Sequence, residues 1–188
     1  EFADPYSFPP TLSGDELYLF GKGDDRKVYE HLGSRIAELG GVRGVAFAVW
    51  APTARRVSVV GDFCEWDGRY FPMRPLGSSG VWEIFIPGLG DGAKYKYEIL
   101  AASGGAPFLK SDPYAARFEP PPNNASVVCD LSGYEWGDGE WMRRRAGTDW
   151  AKSPVSVYEV HLGSWKRVPE DGFRPLSYVE IGEQLAEY

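Results

Sequence analysis

Turn signals recur about every ten residues between Val42 and Asp130, and this punctuation constrains the fold more than any other feature. The signals are Trp66-Asp67-Gly68, Gly77-Ser78-Ser79-Gly80, Gly88-Leu89-Gly90-Asp91-Gly92 and Gly104-Gly105. Between them the apolar residues alternate with a period of two, the mark of strands with two distinct faces. Val45, Phe47 and Val49 alternate with Ala46, Ala48 and Trp50, and Pro52, which cannot donate to a ladder, closes that strand. Tyr95, Tyr97 and Ile99 alternate in the same way with Lys94, Lys96 and Glu98. Further strands are expected over 56–61, 81–86 and 125–130. The content of 23 Gly, 15 Pro and 15% aromatic residues suits many turns and flat rings, and it does not suit a helical bundle. The prediction is a mainly β chain whose residues 44–131 form an immunoglobulin-like antiparallel β-sandwich.

The flanks follow another rhythm. Residues 1–43 read as a helical segment. Ser13 and Glu16 are spaced as a capping box, and a second helix is expected from Val28 to Leu39, carried by Val28, Leu32, Ile36 and Leu39 and stopped by Gly40-Gly41. Residues 132–154 read as a linker containing three Trp and the run Arg143-Arg144-Arg145, taken as a solvated face. Over 155–188 a strand (155–161), a loop and a helix capped at Ser177 and Glu180 follow one another. That is how a β/α series begins. A single such unit has no partner strand, so the chain reads as cut, with a truncated barrel stub at its end. Its apolar surfaces are expected either to be disordered or to pack on a neighbour.

Several function classes fall away. A net charge of −7 argues against a broad nucleic-acid surface. The longest apolar run, Val45 to Ala51, is far too short for a membrane span. The opening EFADPYSFPP has neither the basic nor the apolar region of a secretory signal. Two cysteines, Cys64 and Cys129, cannot build a disulfide framework and read as thiols of the cytoplasm. There is no phosphate-cradling glycine loop, metal-ligand spacing or nucleophile elbow, so no cofactor and no metal are expected.

The segments GVAFAVWAPTARRVSVVGDFCEWDGRYFPMR (44–74), GVWEIFIPGL (80–89), YKYEI (95–99) and KSDPYA (110–115) together resemble the family 48 carbohydrate-binding module of glucan branching enzymes. SVYEVHLGSWKR (156–167) and SYVEIGEQLAEY (177–188) resemble the first strand and helix of the catalytic barrel of the same enzymes. The resemblance implies a cytoplasmic enzyme of glycogen synthesis that cleaves α-1,4-glucan chains and rejoins them through α-1,6 bonds, a glycosyltransferase of the glycoside hydrolase family 13 type. That retaining chemistry needs two carboxyl groups about 5 Å apart. In the family both lie on later barrel strands, so no catalytic residue is assigned here and the fragment alone is expected to be inactive. The expected partners are α-1,4-glucans (glycogen, starch, maltooligosaccharides) and the missing remainder of the barrel, with no nucleic acid and no membrane. A free-standing glycogen- or starch-binding adaptor, a purely structural module, and a module of a debranching or trehalose-releasing enzyme are the alternatives.

Sugars present flat C–H faces edged by hydroxyls, so aromatic rings and amide or charged groups are the residues to seek. By resemblance Trp66 matches a stacking indole, Lys96 a hydroxyl-bonding lysine, and Asn123, or Asn124 one residue on, a sugar-bonding amide. The bland alternatives are a ring packed over the sandwich end, an exposed lysine and a turn residue. Where the family's glycogen-binding members carry a second stacking Trp, this chain offers only Phe108. Cys64 stands where branching enzymes often have Asn. Trp50, Trp82, Tyr95 and Tyr97 read as packing residues and His31 as a surface histidine. By resemblance, His161, Ser164 and Trp165 would line the rim of a cleft formed only in the complete enzyme.

Overall fold

The computed structural model describes residues 3–188. They divide into two compact units, parted between Tyr134 and Glu135. The first begins with a strap, residues 4–12, followed by helix α1 (Gly14–Lys22). The expected capping box is formed: Ser13 Oγ accepts from Glu16 N–H, and Glu16 accepts from Ser13 N–H at 2.6 Å. Gly23 closes the helix at φ 75°, a left-handed position that suits glycine.

The second predicted helix is absent. A short 3-10 turn covers Val28–Glu30, and Gly33–Leu39 is strand β1. It pairs with β2 (Val42–Trp50) through the two-residue turn Gly40-Gly41, both at positive φ, with Leu39 opposite Val42. Positive φ at both central residues gives the twist that two-residue hairpins need. The double glycine therefore turns a hairpin and does not stop a helix.

The remaining strands are β3 (Ala54–Gly61), β4 (Arg74–Pro75), β5 (Val81–Pro87), β6 (Lys94–Ala101), β7 (Phe108–Lys110), β8 (Arg117–Phe118) and β9 (Ser126–Val127). One antiparallel sheet runs β1-β2-β5-β4. The other runs β3-β6-β9-β8, with β7 also on β6. Phe71–Met73 hydrogen-bonds to β3, and the next two residues pair with β5, so this segment passes from one sheet to the other at the edge.

The core lies between the sheets. Val45, Phe47, Ile84 and Ile86 from one side meet Val57, Val59, Tyr95 and Tyr97 from the other. The alternation read from Tyr95, Tyr97 and Ile99 is thus an inside face, with the lysines outside. A polar cluster is built into this core. Asp112 Oδ2 accepts hydrogen bonds from the hydroxyls of Tyr95 at 2.6 Å and Tyr97 at 3.0 Å, while Oδ1 accepts from Tyr114 N–H. Burial raises the Asp112 carboxyl and both phenols above their ordinary values.

The outer face of the first sheet is covered by the N-terminal segment. Leu12 and Leu32 pack on Ala48, Leu76 and Val81, and the Phe8 ring meets Phe85 edge-on. Glu83, fully buried, accepts from Thr11 N–H and Oγ1 and from Arg74 Nε, and Arg74 donates also to Phe8 carbonyl. The motif residue Arg74 therefore pins the strap to the sandwich. Trp82 packs against the core as expected, but Trp50 is 54% exposed and touches the Phe20 ring only edge-on. His31 is not a plain surface group: its two ring nitrogens lie 3.2 Å from Glu16 and 3.7 Å from Asp25.

In the second unit the expected linker contains helix α2 (Gly139–Gly147), whose arginines are exposed, Arg144 lying over the Trp141 ring. Residues 155–161 belong to no strand, contrary to expectation. A parallel strand exists only beside a partner, and none is among the described residues. Then follow α3 (Leu162–Trp165), a small hairpin of β10 (Arg167–Val168) and β11 (Arg174–Pro175), and α4 (Tyr178–Glu187). The last has the predicted capping box of Ser177 and Glu180. No helix among the described residues is long and apolar enough to cross a membrane.

Candidate functional site

The polar face of β6 and the two loops beside it build one site. At the end of β3, Gly61 passes so close to β6 that a Cβ there would meet Lys94 carbonyl at 2.1 Å. The chain then makes a tight turn. Glu65 and Trp66 both lie in the left-handed region, at φ 52° and 61°, a conformation that costs a non-glycine residue of the order of 1 kcal/mol. Backbone bonds from Trp66 N–H to Gly61 carbonyl and from Asp67 N–H to Cys64 carbonyl hold it there. Arg69 bonds the Asp67 carboxylate and lowers its pKa to about 2. Cys64 points inward, its Sγ against Gly61, and burial pushes its thiol up. The turn thus projects the Trp66 side chain beside Lys96.

The opposite wall is the loop between β8 and β9. Glu119 bonds Lys94 Nζ at 2.8 Å and Ala125 N–H at 3.3 Å, so the loop is tied to β6 at its base. The same lysine holds the Glu119 carboxyl below its usual value. Trp66, Lys96, Leu109, Glu119, Asn123 and Asn124 line a cavity of about 360 Å³. Lys96 Nζ lies 6.0 Å from the centre of the Trp66 ring and donates to Asn124 Oδ1 at 2.5 Å. A half-buried indole, an ammonium and two amides around one cleft are the components of a site for a neutral, hydroxyl-rich ligand.

Three of the four predicted residues, Trp66, Lys96 and Asn123, are brought together, and Asn124 stands beside Asn123. Phe108 is not in this cavity. It sits opposite Ile99 in the β6–β7 ladder and shares that residue's inward-facing side of the sheet, whereas Leu109, opposite Glu98, faces the cleft. Leu109 and Glu119 were missed by sequence reasoning. The period-two rule would have placed Leu109 on the lysine side once the register was known. Asp62, also missed, accepts the Trp66 indole N–H at 2.8 Å.

Away from this cleft, His161 Nδ1 lies 2.8 Å from Ser164 Oγ, and Trp165 Nε1 donates to the Tyr158 hydroxyl. Both contacts are local to the second unit. Among the described residues no group of three or more His, Cys, Asp or Glu could hold a metal ion.

The family model described as carbohydrate-binding module 48 (isoamylase N-terminal domain) matches residues 31–115. The chain is 55% identical over all 188 residues to 26% of the 1,4-alpha-glucan branching enzyme GlgB of Rubrobacter xylanophilus. It is likewise 55% identical over 186 residues to 25% of that of Myxococcus xanthus. A pullulanase of Klebsiella pneumoniae, solved with maltotriose, aligns with 53% of this chain and 10% of its own at 28% identity and a TM-score of 0.44. The chain spans about a quarter of the length of the curated relatives it matches. Residues 31–115 are thus similar to carbohydrate-binding module 48, and the whole chain is similar to about a quarter of the branching enzymes.

Proposed function

We propose that the cleft of Trp66, Lys96 and Asn123 binds α-1,4-glucan. We further propose that the chain is part of a cytoplasmic enzyme that cleaves α-1,4-glucan chains and transfers them to form α-1,6 branches in glycogen. The supporting observation is the convergence of an indole, an ammonium and an amide, from three separate stretches of sequence, on one cavity. The indole stacks on a sugar face, and Lys96 and the amides bond its hydroxyl edges. The identity to branching enzymes supports the enzymatic part. On this reading residues 155–188 begin the catalytic barrel, and the other partner is the remainder of that barrel. Phe108, on the far side of its strand, contributes to a site only if β7 shifts its register by one residue.

Affinity electrophoresis in gels containing glycogen tests the binding. The chain is expected to be retarded, and Trp66→Ala to run as in a glycogen-free gel. The rival reading, a module that only orients the barrel, draws on the single ring in the cleft. It predicts no retardation of either protein.

A further inference from the structure

We infer that Asp62 is a positioning residue for the glucan site: it fixes the orientation of the Trp66 ring and takes up the indole N–H. This rests on the glucan-binding reading above. The backbone of the turn is over-determined by the bonds of Trp66 N–H, Asp67 N–H and Arg69, but none of these sets the torsions of the Trp66 side chain. The Asp62 carboxylate does. Its Oδ1 receives the indole N–H at 2.8 Å from four residues back on the same turn. A hydrogen bond to a charged acceptor is among the stronger ones available to a neutral donor.

Two consequences follow for the ligand. The ring arrives pre-oriented, so little side-chain entropy is lost on stacking. And the indole cannot donate to a sugar hydroxyl, because its one donor is already engaged. Trp66 is then purely a stacking surface, and every hydroxyl bond comes from the lysine, the amides and Glu119 around it. Asp62 also lies near enough to Lys94 to raise its pKa, though less than Glu119 does, so its charge acts on Lys94 as well and the test must separate the two effects.

The test is a double-mutant cycle on the full 188-residue chain, with β-cyclodextrin as the probe and calorimetric titration as the readout. Asp62→Ala is expected to weaken binding about tenfold by freeing the ring. Asp62→Asn keeps the acceptor without the charge and is expected to restore most of the affinity. In a Trp66→Phe background, where no indole N–H exists, Asp62→Ala is expected to change nothing. Equal losses from Asp62→Ala in both backgrounds would overturn the inference, as would a failure of Asn to rescue. If instead Trp66→Ala leaves the affinity of the wild-type chain intact, the glucan-binding reading itself fails.

Discussion

Asp112 gathers the buried hydrogen bonds between Tyr95, Tyr97 and the Tyr114 backbone. It is 1% exposed, and its carboxylate serves two buried tyrosine hydroxyls and a backbone N–H. Removing it leaves those donors without an acceptor in a low-dielectric core. Asp112→Ala is therefore expected to lower the unfolding free energy by about 3 kcal/mol, read from urea denaturation. Asp112→Asn keeps the shape and separates charge from contact. Burial raises the folded-state pKa of Asp112 above the ordinary 3.8, so the folded chain binds the proton more tightly than the unfolded one. The sign follows: between 3.8 and the raised value, stability falls as pH rises. Relative to Asp112→Asn, the wild type is expected to gain stability as the pH is lowered from neutrality towards 3.8. A constant difference across that range would show that the carboxyl titrates as it does in the unfolded chain. The sequence could mark Tyr95 and Tyr97 as inward-facing through their alternation. It could not show that their hydroxyls converge on Asp112, because that partner arrives from another strand's loop.

At the scale of elements, two departures from expectation share a cause. Val28, Leu32, Ile36 and Leu39 have helical spacing, yet residues 33–39 form a strand, because pairing with β2 through Gly40-Gly41 satisfies a whole backbone edge. Apolar spacing over four positions is a weak signal beside a two-glycine hairpin turn. Phe108 likewise offers the only ring in its segment, but the ladder turns it to the other side of the sheet. Strands β2, β3, β5 and β6, by contrast, were legible to within two residues at each end, since long alternation leaves little freedom. The register of β7 gives a direct prediction. Leu109→Trp sets a second ring on the cleft and is expected to tighten β-cyclodextrin binding about threefold to tenfold. Phe108→Ala is expected to leave that affinity unchanged. If Phe108→Ala weakens binding and Leu109→Trp does not tighten it, then β7 binds its ligand with the other face.

For the whole molecule, the division between Tyr134 and Glu135 decides what the proposed sugar-binding part requires. Every residue of the inter-sheet core, of the cluster under the N-terminal strap and of the cleft lies on the N-terminal side of that boundary. The second unit has one buried apolar side chain, Ile181, and its aromatic contacts among Tyr158, Trp165 and Tyr188 are internal to it. The sequence showed this boundary only as a change from strands to a Trp- and Arg-containing stretch. It could not show that residues 155–161, read as a strand, would have no partner strand among the described residues. A chain ending at Tyr134 is expected to fold cooperatively, because it retains both clusters, and to be retarded by glycogen as strongly as the full chain. Its thermal midpoint is expected to lie within about 3 °C of that of the first transition of the full chain. Limited proteolysis of the full chain should yield the same fragment, since cleavage concentrates in exposed connections with few contacts across them. Loss of glycogen retardation in a shortened chain that still melts cooperatively would mean that residues beyond Tyr134 take part in the site.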